Sequence, residues 1–165
     1  MKKKEEIFSR LIAENLKPLQ GFVFKFLGDS SEVDDVIQES LLIAWNRFSQ
    51  LRSEDKLIPW IYRIVANKCK DRLKARSREN AKLKSYAAEK SSEVVEAEDD
   101  TLLDKLKEAI LKLPSPHQET ITIGVLANLS SEEAAKKLNC STNTLYQRIF
   151  KAKQFLKKRL GVQNG

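Results

Sequence analysis

Apolar residues recur three and four positions apart along most of the chain, which is the spacing that places them on one face of an α-helix. Few runs alternate between apolar and polar residues as half-buried strands do. Three long helices are predicted to begin near Glu5, Ser31 and Pro59, and four shorter helices fill the second half. The pattern therefore predicts an all-α fold.

Short local signals predict where these helices begin and end. A serine or threonine followed three residues later by an acid or amide can cap a helix, because each side chain binds a backbone amide at the helix start. Proline suits the first helical turn, where its fixed φ is already helical, and glycine commonly ends a helix. Starts are predicted at Ser31, Pro59, Thr101, Ser115, Ser130, and Ser141 or Thr142; ends are predicted at Gly28 and Gly161.

The charge is distributed in three blocks. The chain of 165 residues has a net charge of +7. Residues 1–84 carry 18 Lys and Arg against 12 acids, residues 85–104 carry one Lys against seven acids, and residues 105–165 carry 11 against four. Acids and serines favour a solvated linker. We therefore predict two small helical domains, residues 1–84 and 101–165, joined by an acidic linker over residues 85–100.

Composition argues against several classes of protein. The single histidine, His117, excludes a multi-histidine metal site, and the distant Cys69 and Cys140 lack the spacing of a zinc site. The chain contains no glycine-rich phosphate loop and no nucleophile motif, so we expect neither a cofactor nor an enzymatic activity. No run of 18 apolar residues occurs, so we expect no membrane insertion and a cytoplasmic location.

Residues 130–153 have the pattern of a helix-turn-helix. In this motif the second helix enters the major groove of DNA, with its first residues against the base edges. Six basic residues and no acid lie between positions 145 and 160. The alternative is a solvated helical hairpin whose basic face is only surface. The candidate DNA contacts, called the reading set below, are Ser141, Thr142, Asn143, Thr144, Gln147, Arg148 and Lys151.

The first domain carries two further candidate surfaces. Helix two presents an acidic–amide face outside its apolar stripe, which could dock a basic partner helix or be an ordinary solvated face. Helix three mixes aromatic and basic residues, the combination that binds unstacked bases, although its tryptophan could belong to the core. The acidic–amide face consists of Asp35, Gln38, Glu39 and Leu42. The aromatic–basic set consists of Trp60, Tyr62, Arg63, Asn67, Lys70 and Lys74.

Together these segments resemble a bacterial extracytoplasmic-function (ECF) RNA polymerase sigma factor of the sigma-70 family. In the first domain, DVIQE at 35–39 followed by AW at 44–45 resembles one family stretch, and WIYRIVANKCKD at 60–71 resembles another. In the second domain, LP at 113–114 and TLYQRIFKA at 144–152 resemble the family's helix-turn-helix. Gln118 departs from a common arginine, Asn128 from a common glycine, and Gly124 interrupts a helix.

The resemblance implies a role for each surface. The acidic–amide face would bind the clamp helices of the polymerase β′ subunit. Residues 51–58 and the start of helix three would capture the opened −10 element, with the aromatic–basic set assisting melting. The reading set would recognise the −35 element in duplex promoter DNA, and the second domain would also contact the β flap. Such factors are commonly held inactive by an anti-sigma protein.

Two functions of different classes remain open from the sequence. A sigma factor would recognise promoters only within polymerase, and would use both domains. A free-standing helix-turn-helix regulator would bind duplex DNA alone, but it would leave the acidic–amide face and the aromatic–basic set unused. DNA binding without polymerase would distinguish the two. The opposite charges of the linker and the domains also predict that the free protein is closed.

Overall fold

The computed structural model describes residues 2–90 and 102–161, and over these residues the fold is all-α, as predicted. The three helices of the first domain are followed by four more in the described residues. Three of these are short, as predicted, but the last has 19 residues and is longer than the second helix, which has 18. Two 3-10 turns, Phe48–Gln50 and Glu54–Lys56, connect the second long helix to the third. The helices are α1 (Lys2–Leu27), α2 (Ser30–Arg47), α3 (Leu57–Lys90), α4 (Leu102–Leu111), α5 (Ser115–Ile121), α6 (Ser131–Lys137) and α7 (Thr142–Leu160).

Helices α1, α2 and α3 pack against one another and form the first domain. Its core is lined by the apolar faces that the helical spacing predicts, and its innermost members are Leu19, Phe22, Val23, Val36, Ile61 and Val65. The guanidinium of Arg76 ties the three helices together. It donates to the Leu27 carbonyl at 2.7 Å and pairs with the Glu32 carboxylate.

The second domain is built around α7, which contacts α4, α5 and α6. Helix α5 continues into a π-helical turn, Thr122–Leu126, that contains Gly124. A Cβ at position 124 would lie 3.3 Å from side-chain carbons of both Leu145 and Ile149. The absence of a side chain at Gly124 therefore allows α7 to approach closely. From the sequence alone, Gly124 only interrupts a predicted helix.

Gln118 holds α4 to α5. Its amide is buried and donates to the backbone carbonyl of Leu111 at 3.1 Å, and more weakly to that of Ile110 at 3.4 Å. Both carbonyls lie at the end of α4, where the regular helical hydrogen bonds stop. The Ile110 carbonyl also accepts from the Leu113 amide at 3.2 Å, so the bond to the Leu111 carbonyl is the main contribution of Gln118. The departure from the family's common arginine thus has a local structural role.

Some predicted helix starts are confirmed and others are displaced. Ser130 and Ser141 cap α6 and α7, each accepting a hydrogen bond from a backbone amide three residues on. Helix α2 is instead capped by Asp29, whose carboxylate accepts from the Ser31 amide at 2.9 Å. Helix α3 begins at Leu57, two residues before Pro59.

The remaining boundaries also differ from the prediction at several points. Helix α5 begins at Ser115 with Pro114 as its cap residue, so Ser115 is not the cap. Gly161 ends α7 with φ of 69°, as predicted. Helix α3 continues to Lys90, so the first six residues assigned to the linker are helical. The rest of that segment, and the proposed cap Thr101, lie outside the described residues.

The two domains contact each other through polar groups from several elements. The Lys25 ammonium donates to the Leu126 carbonyl at 2.5 Å and to the Asn128 side chain at 3.1 Å. Lys137 donates to Asn15, a residue that is only 2% exposed. A single cluster of buried residues includes members of both domains. Residues 2–90 and 102–161 thus adopt a closed arrangement.

None of the helices in the described ranges is both long enough and apolar enough to cross a membrane.

Candidate nucleic-acid interface

Helices α6 and α7 form the predicted helix-turn-helix. Helix α6 ends at Lys137, and Asn139 then takes the left-handed conformation with φ of 55°, which an asparagine tolerates better than most residues. The Ser141 hydroxyl begins α7 by accepting from the Thr144 amide at 3.1 Å. Ala134 and Ala135 are buried between the helices, because small side chains permit a close crossing.

The reading set lies along the first turns of α7. Asn143, Gln147, Arg148 and Lys151 are exposed, while Thr142 and Thr144 are half-buried. Ser141 and Thr144 are joined by a hydroxyl–hydroxyl hydrogen bond of 2.9 Å, so these two residues also shape the helix start. The arrangement gives α7 amide, guanidinium and ammonium groups near its N-terminus, the groups that bind base edges and phosphates.

Two aromatic residues of α7 are exposed and were not among the predicted contacts. Tyr146 is 57% exposed and Phe150, one turn further along, is 65% exposed. The Tyr146 hydroxyl is 2.8 Å from the Ser131 hydroxyl at the start of α6. Their spacing of four residues places the two rings on one face of α7. The sequence could have indicated them, because both aromatic residues fall outside the apolar stripe of that helix.

The acidic–amide face of α2 is mostly open to solvent. Asp35 and Gln38 are exposed, and Leu42 is 63% exposed. Glu39 differs from them because it pairs with Arg72 at 3.0 Å and with Lys68 at 3.7 Å, both on α3. Glu39 therefore also holds α2 against α3.

An aromatic cluster continues this face. Phe8 of α1 meets Trp45 edge-on, with ring centroids 5.2 Å apart, and meets Phe48 in the same way at 5.4 Å. Trp45 is 40% exposed. With Leu42 it forms an apolar surface beside Asp35 and Gln38, a combination that fits a partner with both apolar and basic groups.

The members of the aromatic–basic set differ in their exposure to solvent. Asn67 and Lys74 are exposed, and Trp60, Arg63 and Lys70 are half-buried.

The structure contradicts the prediction that Tyr62 contacts DNA. Tyr62 is 1% exposed and meets Phe22 edge-on at 5.7 Å, so it belongs to the core and offers no ring to a base. Burial also raises the pKa of its hydroxyl. Trp60 and Tyr62 are two residues apart on α3, so the sequence alone does not show which ring is accessible. Packing buries Tyr62 in the core and leaves Trp60 half-buried.

Arg63 is engaged by the second domain. Its guanidinium pairs with the carboxylate of Glu119 on α5. Beside this pair lies a cavity of about 700 Å³ between the domains. Residues of both predicted DNA-binding groups line it, namely Trp60 and Arg63 from α3 and Arg148 and Lys151 from α7. The closed arrangement thus turns these side chains toward one another.

Two other groups have pKa values shifted by their surroundings. Burial raises the pKa of the Cys69 thiol to about 12, so the thiol remains protonated at neutral pH. Partial burial lowers the pKa of Lys137, while the carboxylates of Glu133 and Glu14 act in the opposite direction. The lowered pKa reflects the cost of placing this charge at the contact between the domains.

Comparison with known proteins finds a match to one family model in each domain. The family model described as Sigma-70 region 2 matches residues 11–79, and the one described as Sigma-70, region 4 matches residues 103–156. The chain is 26% identical to the RNA polymerase sigma-H factor of Pseudomonas aeruginosa, over 93% of this chain and 86% of that protein. It is also 26% identical to the ECF RNA polymerase sigma-E factor of Haemophilus influenzae, over 94% and 88%.

Two solved structures are similar to it at lower identity. One is the sigma factor RpoE in complex with the anti-sigma factor NepR from Bartonella quintana, with 22% identity, a TM-score of 0.46, and coverage of 95% of this chain and 98% of that chain. The other is CnrH in complex with the cytosolic domain of CnrY, with 23% identity, a TM-score of 0.44, and coverage of 95% and 89%.

Proposed function

The chain belongs to the sigma-70 family of RNA polymerase sigma factors, in its ECF group, and from this premise we propose a division of labour between its two domains. The first domain binds core polymerase and captures the opened −10 element, and the second recognises the −35 element. The protein acts in the cytoplasm as a specificity factor without a reaction of its own. One observation carries the proposal: the same chain presents a helix-turn-helix and, on α2, an exposed acidic–amide face.

The polymerase surface is proposed to be the acidic–amide face together with the aromatic cluster next to it. Leu42 exposes most of its side chain, and burying a leucine against a partner contributes about 1.5–3 kcal/mol. Asp35 adds a negative charge that suits a basic helix, here the clamp helices of β′. The β flap is the proposed contact of the second domain.

The promoter surfaces are the reading set on α7 and the accessible members of the aromatic–basic set on α3. Asn143, Gln147 and Arg148 are the proposed contacts to base edges, and Lys151 is the proposed contact to a phosphate, because all four side chains are exposed on α7. Trp60 supplies a ring for an unpaired base, and the −10 segment includes residues 51–56, which precede α3. Because Trp60 lines the cavity between the domains, this role requires the domains to separate.

The first experiment is a titration against core RNA polymerase, followed by run-off transcription from a promoter library. We expect tight binding and transcription from a defined pair of −35 and −10 elements. Specific binding to duplex DNA without polymerase, with no binding to polymerase, would instead identify a free-standing regulator. In that case the first domain would lose its assigned role.

A double variant and a control variant test the proposed polymerase surface. Gln38→Ala with Leu42→Ala should weaken polymerase binding about tenfold or more, because an exposed apolar contact is removed. Lys17→Ala, an exposed substitution on α1, is the control and should leave the affinity unchanged. Glu39 is avoided because its loss would also break the ion pairs to α3. Equal affinities for the double variant and the control would remove this face from the proposal.

Arg148→Ala tests the −35 contact. It should lower initiation from the matched promoter by about 5- to 150-fold, which corresponds to 1–3 kcal/mol for a bidentate base contact, and should leave polymerase binding intact. Lys158→Ala removes one positive charge near the other end of α7 and is the control. A similar loss in both variants would show a general effect of charge rather than base recognition.

An anti-sigma protein is proposed as a partner on the family resemblance alone. A cytoplasmic protein that co-purifies with this chain and prevents its binding to core polymerase would support the proposal. If polymerase bound all of the protein in its host under every growth condition, the proposal would be wrong.

A further inference from the structure

The cavity between the domains has the features of a small-molecule site. Its volume of about 700 Å³ lies in the range of ordinary ligand pockets. Its walls come from the 3-10 turn before α3, from α3 itself, from α5, from the turn after α6, and from α7. No role in the proposed function requires a cavity here.

The charge of the lining points to an anion. Lys56, Arg63, Arg148 and Lys151 line the cavity, against two carboxylates. One of those carboxylates, Glu119, is already paired with Arg63. Among the residues that the structure describes, the other three cations form no salt bridge. Positive groups that line one cavity repel one another, and an anion between them would reduce that repulsion.

The position of the cations favours a ligand with several charges. Lys56 comes from the turn before α3, Arg63 from α3, and the remaining pair from one face of α7. A single small anion would contact one element, whereas a chain of phosphates can reach several. Arg suits phosphate especially well because its guanidinium can donate two parallel hydrogen bonds.

Trp60 adds a flat apolar surface to the same cavity. It is half-buried at the first turn of α3, and Pro59 and Pro116 lie beside it in the lining. An indole ring in contact with a basic groove is the arrangement on which a nucleic-acid base stacks, worth about 1–3 kcal/mol per base. Polyphosphate recognition and ring stacking are therefore available within one cavity.

We propose that this cavity binds a nucleoside polyphosphate, with the phosphates held by Lys56, Arg148 and Lys151 and the base against Trp60. The ligand would bridge the two domains. Under the proposed function, these side chains also contact promoter DNA. Bound ligand would therefore favour the closed arrangement and compete with DNA.

Isothermal titration calorimetry of the full chain with ATP, without divalent cations and without polymerase or DNA, tests the site directly. We expect saturable binding of one ATP per chain with a dissociation constant of about 1 mM or lower. Tripolyphosphate should bind more weakly, because it lacks the base. Thermal unfolding should occur at a higher temperature when ATP is present, because ligand binds only the folded form.

Matched variants identify the residues. Arg148→Ala with Lys151→Ala should weaken ATP binding about tenfold or more. Lys153→Ala with Lys158→Ala removes the same charge from the same helix but outside the cavity, and should change the affinity little. Trp60→Leu should weaken ATP binding toward the value for tripolyphosphate, while leaving tripolyphosphate binding unchanged.

Two results would overturn the proposal. One is the absence of saturable ATP binding to the unmodified chain. The other is an equal loss in both double variants, which would show only general attraction to a basic surface. Because neither polymerase nor promoter is present, the site can fail while the sigma-factor role stands, and the reverse is also possible.

Discussion

The hydrogen bond from Lys137 to Asn15 offers a direct test of the closed arrangement. Asn15 lies on α1 and is 2% exposed, and Lys137 ends α6 in the other domain. A hydrogen bond to a charged group contributes about 1.5–3 kcal/mol. Lys137 is only half-buried, so solvent reduces this figure, and we expect a coupling energy of about 1–2 kcal/mol.

The assay is a double-mutant cycle on the full chain, with Asn15→Ala, Lys137→Met and the double variant, by urea unfolding followed with circular dichroism. Methionine keeps most of the lysine's apolar stem, so the cycle reports mainly on the charged contact. Asn15 also donates to the Leu11 carbonyl within α1 at 2.6 Å. That contribution is lost in both the single and the double variant and therefore cancels.

The pair Glu108 and Lys112 supplies the matched control. It is an exposed ion pair of 2.7 Å between α4 and the turn that follows it, with the i,i+4 spacing of a helical pair, and pairs of this kind contribute about 0.3–0.5 kcal/mol. The reasoning fails if the coupling between Asn15 and Lys137 is no larger than that of the control. Such a result would mean that the two domains are not held together by this contact in solution.

Three other sites give predictions of stability and reactivity. Gln118→Ala should destabilise the second domain by about 1–3 kcal/mol in urea unfolding, because it leaves the Leu111 carbonyl without its buried donor; an unchanged midpoint would refute that role. Asp29→Ala should cost about 1 kcal/mol as the loss of a helix cap, whereas Ser31→Ala should cost less. A thiol reagent should modify Cys140 in the native protein and Cys69 only after unfolding, since Cys69 is fully buried; rapid modification of both would contradict the structure. The pKa of Cys69 is raised from 9.0 to about 12, so its stabilising effect is present below pH 9 and is lost between these values. The unmodified chain should therefore lose stability relative to Cys69→Ala by up to about 1.4 kcal/mol per pH unit as the pH rises through that window.

Features that depend on local chemistry were predictable from the sequence. The cap at Ser130 was predicted correctly because it involves a hydroxyl and an amide three residues apart. For α7 the sequence left Ser141 and Thr142 open, and the structure has Ser141 as the cap. At α2 the sequence pattern predicted Ser31 as the cap, whereas in the structure Asp29 caps the helix. Pattern alone does not distinguish them, since both residue types are strong N-caps.

Features that depend on distant residues were not predictable in the same way. Trp60 and Tyr62 look alike as aromatics near the start of a helix, yet only Tyr62 meets Phe22 in the core. Gly124 makes room for α7, because a Cβ at position 124 would lie 3.3 Å from side-chain carbons of that helix. The sequence does not show that α7 lies so close. The blocks of opposite charge led to the hypothesis of a closed protein through the acidic linker, most of which lies outside the described residues. They did not identify the pairs that connect the two domains.

The pairing of Arg63 with Glu119 connects the closed arrangement to the proposed function. Glu119 offers Arg63 a carboxylate, so the closed chain satisfies a guanidinium that promoter DNA would otherwise hold through a phosphate or base. Under the proposed function, every contact that holds the domains together must be broken before the −10 surface is available, and its free energy is subtracted from that of binding DNA. An apparent affinity falls by the fraction of molecules in the competent state, so closure worth about 2.7 kcal/mol lowers it about a hundredfold. Contacts of core polymerase with the acidic–amide face would not oppose opening, because within residues 2–90 and 102–161 none of the polar pairs between the domains involves that face. The placement of the two surfaces thus allows polymerase to bind first and the DNA-binding residues to be released afterwards.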